Sequence, residues 1–344
     1  MSDRFLRACR RQPVDATPVW FMRQAGRALP EYRAVRERHA LLDIVRLPEL
    51  CAEVTLQPIR QLGVDAAIVF ADITLPLEGL GVDFEIRPGV GPVVERPVRT
   101  PADVERLRPF EPGPLVGSVV EALGLLRRES PVPVIGFAGA PFTLAAYLIE
   151  GRPSTRFLEI KRFLYAHPAA WGDLMARLTD ATVAYLAAQA EAGAEALQLF
   201  DSWIGALAPE EYRRAVQPHV RRLFAGLPEV PTIHFGTGTA GLLPDMAAAG
   251  GDVIGLDWRI DLDRGWDLVK GRAVQGNLDP AVVTGPWPAL HAAADDVLAR
   301  ASGRPGHVFN LGHGVLPETP VDNLRRLVDH VHEATARRAR EAAG

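Results

Sequence analysis

Eight short apolar runs, rich in β-branched and aromatic residues, alternate with amphipathic stretches along almost the whole chain. The runs Val19–Met22, Ala66–Ala71, Val132–Phe137, Ala196–Phe200, Thr232–Phe235, Val253–Leu256, Ala273–Gln275 and His307–Leu311 read as strands. The stretches Pro48–Leu62, Leu115–Arg128, Ala169–Ala192, Pro209–Ala225 and Trp287–Ala301 read as helices between them. Such alternation argues for parallel strands joined by crossovers, and eight is the number that closes a barrel with a filled interior. A doubly wound sheet is the alternative, but no linker splits the chain. The Pro- and Gly-rich stretch Arg87–Pro114 falls inside the second β-to-β connection. It therefore reads as an insertion, a loop with a short Pro101–Leu107 helix. The expectation is an α/β fold, a single-domain (β/α)8 TIM barrel over 1–344, with an N-terminal helical or loop segment and an insertion near 87–114.

Composition narrows the class of partner. With 48% hydrophobic residues, 23% charged residues and a mean hydropathy of +0.04, the chain has ample material for a large core. A formal net charge of −4 offers no overall attraction to nucleic acid or an anionic membrane. The longest uncharged apolar run, Val134–Ile149, is short and interrupted by Gly136, Gly139 and Pro141, so no membrane span is expected. Met1–Arg11 holds arginines and no apolar stretch, so no secretory signal is visible, and a cytoplasmic location is expected. Cys9 and Cys51 are too few for a disulfide framework or a Cys-rich zinc site. Only two basic residues are lysines, Lys161 in a helical pattern and Lys270 just after one, which argues against a Schiff-base lysine.

Active sites of such barrels gather at the C-terminal strand ends. Polar residues at or beyond the ends of the expected strands are Arg23, Gln24 and Arg27, then Asp72, Tyr147 a little beyond the third strand, Asp201 and Ser202, His234 ending the fifth, Asp257, Asn277 and His313. Each alone has an ordinary explanation: Asp72 a helix cap, Ser202 a turn residue, His234 a core histidine. Their common position relative to the strands is what groups them. In Arg23-Gln24-Ala25-Gly26-Arg27, two guanidiniums flank a small residue and a glycine. That arrangement lets backbone approach a ligand while two cationic forks reach its carboxylates or phosphates.

Two other motifs carry less weight. Gly236-Thr237-Gly238-Thr239-Ala240-Gly241 has the letter pattern of a dinucleotide loop, with Asp257 ending the next strand. It begins at the fifth strand, however, where only three strands follow. His234-Phe235-Gly236 stands where a zinc-dependent methyltransferase barrel would show His-x-Cys, with glycine in place of the cysteine. No metal site is expected from it.

The chain closely resembles the uroporphyrinogen decarboxylase family. The resemblance rests on Pro18–Arg27, Leu29-Pro30-Glu31-Tyr32-Arg33, Phe70-Ala71-Asp72-Ile73, Gly139–Leu144 with Tyr147, and Gln198–Trp203. Gln275–Pro280 and Asn310-Leu311-Gly312-His313-Gly314 extend it to nearly the whole chain. It implies a homodimeric, cytoplasmic (β/α)8 barrel without metal or organic cofactor, acting on uroporphyrinogen III. Substrate contacts then fall on Arg23, Gln24, Ala25, Gly26, Arg27, Asp72, Tyr147, Ser202 and His313, with Asp72 and Arg23 catalytic. Ala28 and Ile204 depart from the family's usual residues and bear on the shape of the pocket wall. The strongest rival is a zinc- or corrinoid-linked methyltransferase barrel of the same superfamily.

The implied chemistry suits these residue types. Direct loss of CO2 from an acetate on a pyrrole leaves an unstabilised carbanion, whereas prior protonation of the ring makes it an electron sink. The site must hold carboxylates, offset a transient cation and move protons. Arginines do the first, and an ionised Asp72 accepting pyrrole N–H bonds does the second. An arginine is a reluctant proton donor because its intrinsic pKa is high, and relay through a substrate carboxyl is equally compatible.

Overall fold

The computed structural model describes residues 3–343, so Met1, Ser2 and Gly344 of the expected span lie outside the described residues. In chain order the strands are β1 (Ala67–Ile68), β2 (Phe84–Arg87), β3 (Gly91–Val94), β4 (Val134–Gly139), β5 (Ala196–Asp201), β6 (Thr232–Gly236), β7 (Val253–Gly255), β8 (Ala273–Gln275) and β9 (His307–Val308). Seven of them form one curled parallel sheet in the order β1-β4-β5-β6-β7-β8-β9. The crossovers carry the expected helices, Pro48–Leu62 and Trp287–Ala301 among them, and the helix Pro168–Ala192 packs on β4.

The ring is closed by a segment with almost no ladder of its own. Val19 bridges Phe309 in parallel, with Trp20 N–H donating to the Phe309 carbonyl at 3.3 Å. On its other side the Asp65 N–H donates to the Val19 carbonyl at 2.8 Å. The expected strand Val19–Met22 is thus a single bridge, because the chain already turns at Phe21, whose carbonyl accepts the Gln24 N–H at 3.0 Å. Side chains supply what the ladder lacks. Asp65 Oδ2 accepts the Val19 N–H at 2.7 Å and lies 2.7 Å from His332 Nε2, while Oδ1 accepts from Arg4 at 2.9 Å. One buried carboxylate joins the first helix (Arg4–Cys9), the closing segment and the last helix (Val321–Ala343).

Inside the barrel, Gln275 donates to Gln198 Oε1 at 3.2 Å and accepts from Trp20 Nε1 at 3.0 Å. Strands β5 and β8 are three places apart in the sheet, so these side chains meet only through the interior. Above them Phe137, Phe200 and Phe235 meet edge to face, with centroids 5.4 and 5.9 Å apart. The pairing satisfies both ends of the Gln275 amide and the Gln198 carbonyl, while Gln198 Nε2 is buried without a hydrogen bond among the described residues.

Three local expectations are corrected. The 84–94 region, partly read as loop, is the antiparallel β2–β3 hairpin, and the helix after it is Pro101–Glu105. The third barrel strand lies two residues later than expected, at Val134–Gly139. The expected helix Pro209–Ala225 is two, Pro209–Ala215 and Gln217–Ala225, broken at Val216. Pro218 has no N–H to continue the first helix's bonding and sits comfortably in the first turn of the second.

Candidate active site

The arginine loop is built by polar bonds rather than by secondary structure. Gln24 is buried, and its amide is spent on backbone, accepting the Phe21 N–H at 3.0 Å and donating to the Ala66 carbonyl at 3.0 Å. Arg33 donates to the carbonyls of Arg27 and Ala28, both at 2.9 Å. Gly26 passes so close to the Arg23 carbonyl that a Cβ there would lie 2.7 Å from its oxygen. Ala25 and Gly26 are half-buried in this bend. Arg23 itself is left-handed, at φ 61°, a conformation that costs a non-glycine residue about 1 kcal/mol or more. The loop therefore fixes both arginines outward. Both are exposed, and neither guanidinium has a hydrogen-bond or ion-pair partner among the described residues.

The closing of the ring sets the second specific motif beside the first. Met22 N–H donates to Asn310 Oδ1 at 3.2 Å, and Val315 N–H donates to the Met22 carbonyl at 2.8 Å. Gly314 lies under the Arg23 stem, where a Cβ would come within 2.5 Å of Cδ. Gly312 passes just as tightly against the backbone of Asp257 and Trp258. The two glycines around His313 are there for close approach.

Asp72 stands four residues beyond the last residue of β1, on a turn rather than on the strand itself. Its Oδ1 accepts the Thr74 N–H at 2.9 Å and the Thr74 hydroxyl at 2.5 Å. The following helix begins at Pro76 without a side-chain cap, so Asp72 makes a local Asx turn and is no helix cap. Oδ2 makes no hydrogen bond among the described residues. Burial raises the Asp72 pKa, against the two Thr74 bonds and the Arg23 charge, which lower it.

Arg23 and Tyr147 are a charged and a phenolic group within electrostatic reach of this carboxylate. Tyr147 stacks on Trp203 with centroids 4.1 Å apart, and Phe157 meets the same indole at 5.5 Å. Burial, and then the Asp72 charge, push the phenol up, while Arg23 pulls it down. His313 meets Trp258 edge-on, and Arg259 covers that indole at 3.9 Å while bonding Asp257 at 2.7 Å. Burial, with Arg23 and Arg259, pushes the His313 imidazole down to about 4, so it is neutral at pH 7. His313, Trp258 and Arg259 border a cavity of about 320 Å³ together with Thr237, Asp279 and Leu316. Ser202 directly follows β5; its carbonyl accepts from Thr237, and its hydroxyl makes no hydrogen bond among the described residues. Arg23 acts electrostatically on Asp72, Tyr147 and His313 alike, which places it at the centre of the group.

Other sequence candidates serve the scaffold. The buried Asn277 amide donates to the carbonyls of Asp257 and Ile260 at 2.9 and 2.7 Å. Asp201 is wholly buried under Thr143, which donates to Oδ1 at 2.9 Å, and burial pushes its carboxyl up to about 7. His234 packs on Phe224 at 5.2 Å beside Met246 and Gly250, away from the mouth, and burial pushes it down to about 4. The Gly236–Gly241 loop is filled by protein: Asp257 takes the Gly238 N–H, and Gly205 packs against Thr237 and Gly238. That N–H is already taken, as is the acidic residue a ribose would need. Sequence reasoning missed Trp203, Trp258 and Arg259. Their signal was position, since they follow β5 and β7 as Asp72 follows β1.

The family model described as uroporphyrinogen decarboxylase matches residues 1–334. The chain belongs to the uroporphyrinogen decarboxylase family. Relatives bearing that family name include proteins of Roseiflexus sp., 55% identical over 97% of this chain and 99% of the relative, and of Thermus thermophilus, 54% identical over 98% and 99%. One from Streptomyces griseus is 56% identical over 97% of this chain and 92% of the relative. Among solved structures, a methyltransferase from Methanosarcina mazei superposes with a TM-score of 0.78 at 23% identity, covering 96% of this chain and 98% of that one. That likeness concerns the barrel. The family's relatives favour the decarboxylase over the methyltransferase alternative.

Proposed function

We propose that the chain is a uroporphyrinogen decarboxylase, a carboxy-lyase that converts the four acetate side chains of uroporphyrinogen III to methyls, giving coproporphyrinogen III and CO2 in tetrapyrrole (heme) biosynthesis. The observation that carries this reading is the seam at the barrel mouth. There the unpaired Arg23 lies over Gly314 beside His313 and acts on Asp72, whose Oδ2 is free, and the same loop carries a second unpaired arginine, Arg27.

Arg23 and Arg27 bind substrate carboxylates, each guanidinium able to offer paired N–H donors. Asp72 Oδ2 accepts pyrrole N–H groups, with Oδ1 pinned by Thr74 so that the carboxylate does not swing. Protonation of the pyrrole α-carbon makes the ring cationic, and ionised Asp72 opposes that charge as it develops. The C–C bond electrons then flow into the ring as CO2 leaves, a second proton on the remaining carbon completes the methyl, and the α-carbon gives back the proton it took, which restores the pyrrole. Each turnover consumes one proton, releases one CO2 and involves no net redox change. We assign Arg23 to hand on the first proton, from its own guanidinium or by holding a substrate carboxyl that carries it. Neutral His313, Tyr147 and Ser202 hydrogen-bond the acid side chains. Ala25 and Gly26 let the substrate approach the loop, which Gln24 holds in place.

The reaction as written uses no metal or organic cofactor. The methyltransferase alternative needs a metal held by ligands at the mouth, and the donor set does not fit: Gly236 has no thiol, and His234 faces packed side chains. Incubation with uroporphyrinogen III under reducing conditions should give products with seven down to four carboxylates. Absence of those products, or methyl transfer restored by zinc, would overturn the assignment.

The chain is further read as a cytoplasmic homodimer with no nucleic-acid or membrane partner. Exposed Val90 and Leu158 border one surface hollow otherwise lined largely by charged and polar residues, Arg99, Arg152, Arg156, Glu150 and Glu159 among them, and exposed Tyr165 lies on the helix Leu158–Ala166; we read this mixed surface as the one a second copy covers. No helix among the described residues is long and apolar enough to cross a membrane. Sedimentation should give twice the 37.4 kDa chain mass, and a monomer at micromolar concentration would reject the dimer.

A further inference from the structure

Far along the chain from the arginine loop, three metal-ligating side chains converge on the outer helical layer. His291 and Asp295 lie four residues apart on the helix Trp287–Ala301, hence on one face, and His330 comes from the last helix, packed against it. His291 Nδ1 is 3.3 Å from Asp295 Oδ2, and His330 Nε2 is 2.8 Å from Asp295 Oδ1. The two imidazole centroids are 4.2 Å apart. One donor atom from each residue lies within 4.8 Å of the other two. We propose that His291, Asp295 and His330 form a binding site for one divalent ion of the zinc type, joining the last two helices.

Two imidazole nitrogens and a carboxylate oxygen suit zinc, cobalt or nickel, whereas magnesium and calcium favour all-oxygen shells. The donors need to draw in to about 2.0–2.2 Å from a shared ion, a movement surface rotamers allow. The rings are already oriented: Trp287 meets His291 edge-on at 5.7 Å and His330 at 6.2 Å, and Arg326 covers the indole at 3.9 Å. Side chains of His291 and Asp295 are 43% and 50% exposed and that of His330 16%, which leaves an entry path and room for a water ligand. The Arg326 charge opposes a cation and favours moderate over extreme affinity. The site lies outside the catalytic group, so its metal would act on stability.

The test uses the full chain without a histidine tag, stripped with chelator and titrated with zinc chloride by calorimetry. One saturable site per chain is expected, with a rise in Tm on adding zinc and none on adding magnesium. His291→Gln and His330→Gln should each weaken zinc binding by at least about tenfold and abolish the rise, with uroporphyrinogen turnover unchanged. Asp295→Asn provides a third variant should either histidine variant misfold. Absence of saturable zinc binding at micromolar concentrations, or binding equal to wild type in the variants, would overturn the proposal. In that case the cluster is an ordinary His–Asp ion-pair group.

Discussion

The two sides of the barrel are held together differently. Around β4, β5 and β6 the strands are five or six residues long, ladders are continuous, and the three phenylalanines fill the interior between them. At the opposite edge β1 and β9 have two residues each, and the chain between them makes one bridge. There, side chains of Asp65, Gln24 and Asn310 take the backbone groups that ladders would otherwise satisfy. The first side supplies rigidity through hydrophobic burial. The second frees backbone from the sheet, so two loops can present arginines and a histidine from the same seam. Chemistry sits where regular structure is thinnest, supported by the side where it is thickest.

The contrast is testable by substitutions that act on one side alone. Phe235→Ala on the packed side should cost about 3–5 kcal/mol of stability, seen as a large fall in Tm. A loss below about 1 kcal/mol would mean that this side is not the rigid support. Asp72→Asn at the mouth should do the converse, lowering kcat by about 10²–10³-fold, roughly 2.7–4 kcal/mol, with circular dichroism and Tm little changed. A folded variant with kcat within threefold of wild type would remove Asp72 from the chemistry, leaving only its turn with Thr74. Arg27→Lys keeps the charge but loses the planar fork, and should raise KM by an amount equivalent to about 1.5–3 kcal/mol. An unchanged kcat/KM would argue against a direct carboxylate contact.

A smaller effect separates scaffold from site by pH. Asp201 is buried and titrates near 7, above the usual carboxylate value of 3.8. Between those values the unfolded chain has lost this proton and the folded chain keeps it. The group therefore makes stability fall as pH rises through that window, by at most about 1.4 kcal/mol per pH unit. Asp201→Asn should remove that contribution, so its stability relative to wild type rises from pH 4 to pH 7. A pH-independent difference in melts would show that Asp201 is ionised throughout. Chelation is expected to have the least effect on turnover: kcat should stay at the wild-type value after exhaustive treatment.

Much of this was legible beforehand. Alternation gave the barrel class, since helix and strand periods are local properties of the chain. Motif letters gave the family, and position after strands gave the polar residues of the mouth. What local pattern could not show was which polar groups are spent. Gln24 and Asn277 look as available in sequence as Arg23 and Asp72, yet the first pair is consumed by backbone. Val19–Met22 has the residues of a strand and becomes a single bridge, because the chain turns at Phe21 and its N–H groups at 19, 21 and 22 go to the side chains of Asp65, Gln24 and Asn310.

The sequence by itself determined the order of elements, the absence of a cysteine ligand set and the two arginines about a glycine, because each depends on residue type and spacing. Only the tertiary structure decided that residues 23 and 314 touch, that one oxygen of Asp72 is bound and the other free, and that His313 is neutral. Those depend on closing the ring, which brings the first and last strand positions together and excludes water around what they carry. Distance and desolvation are properties of the closed barrel, and no window of sequence contains them.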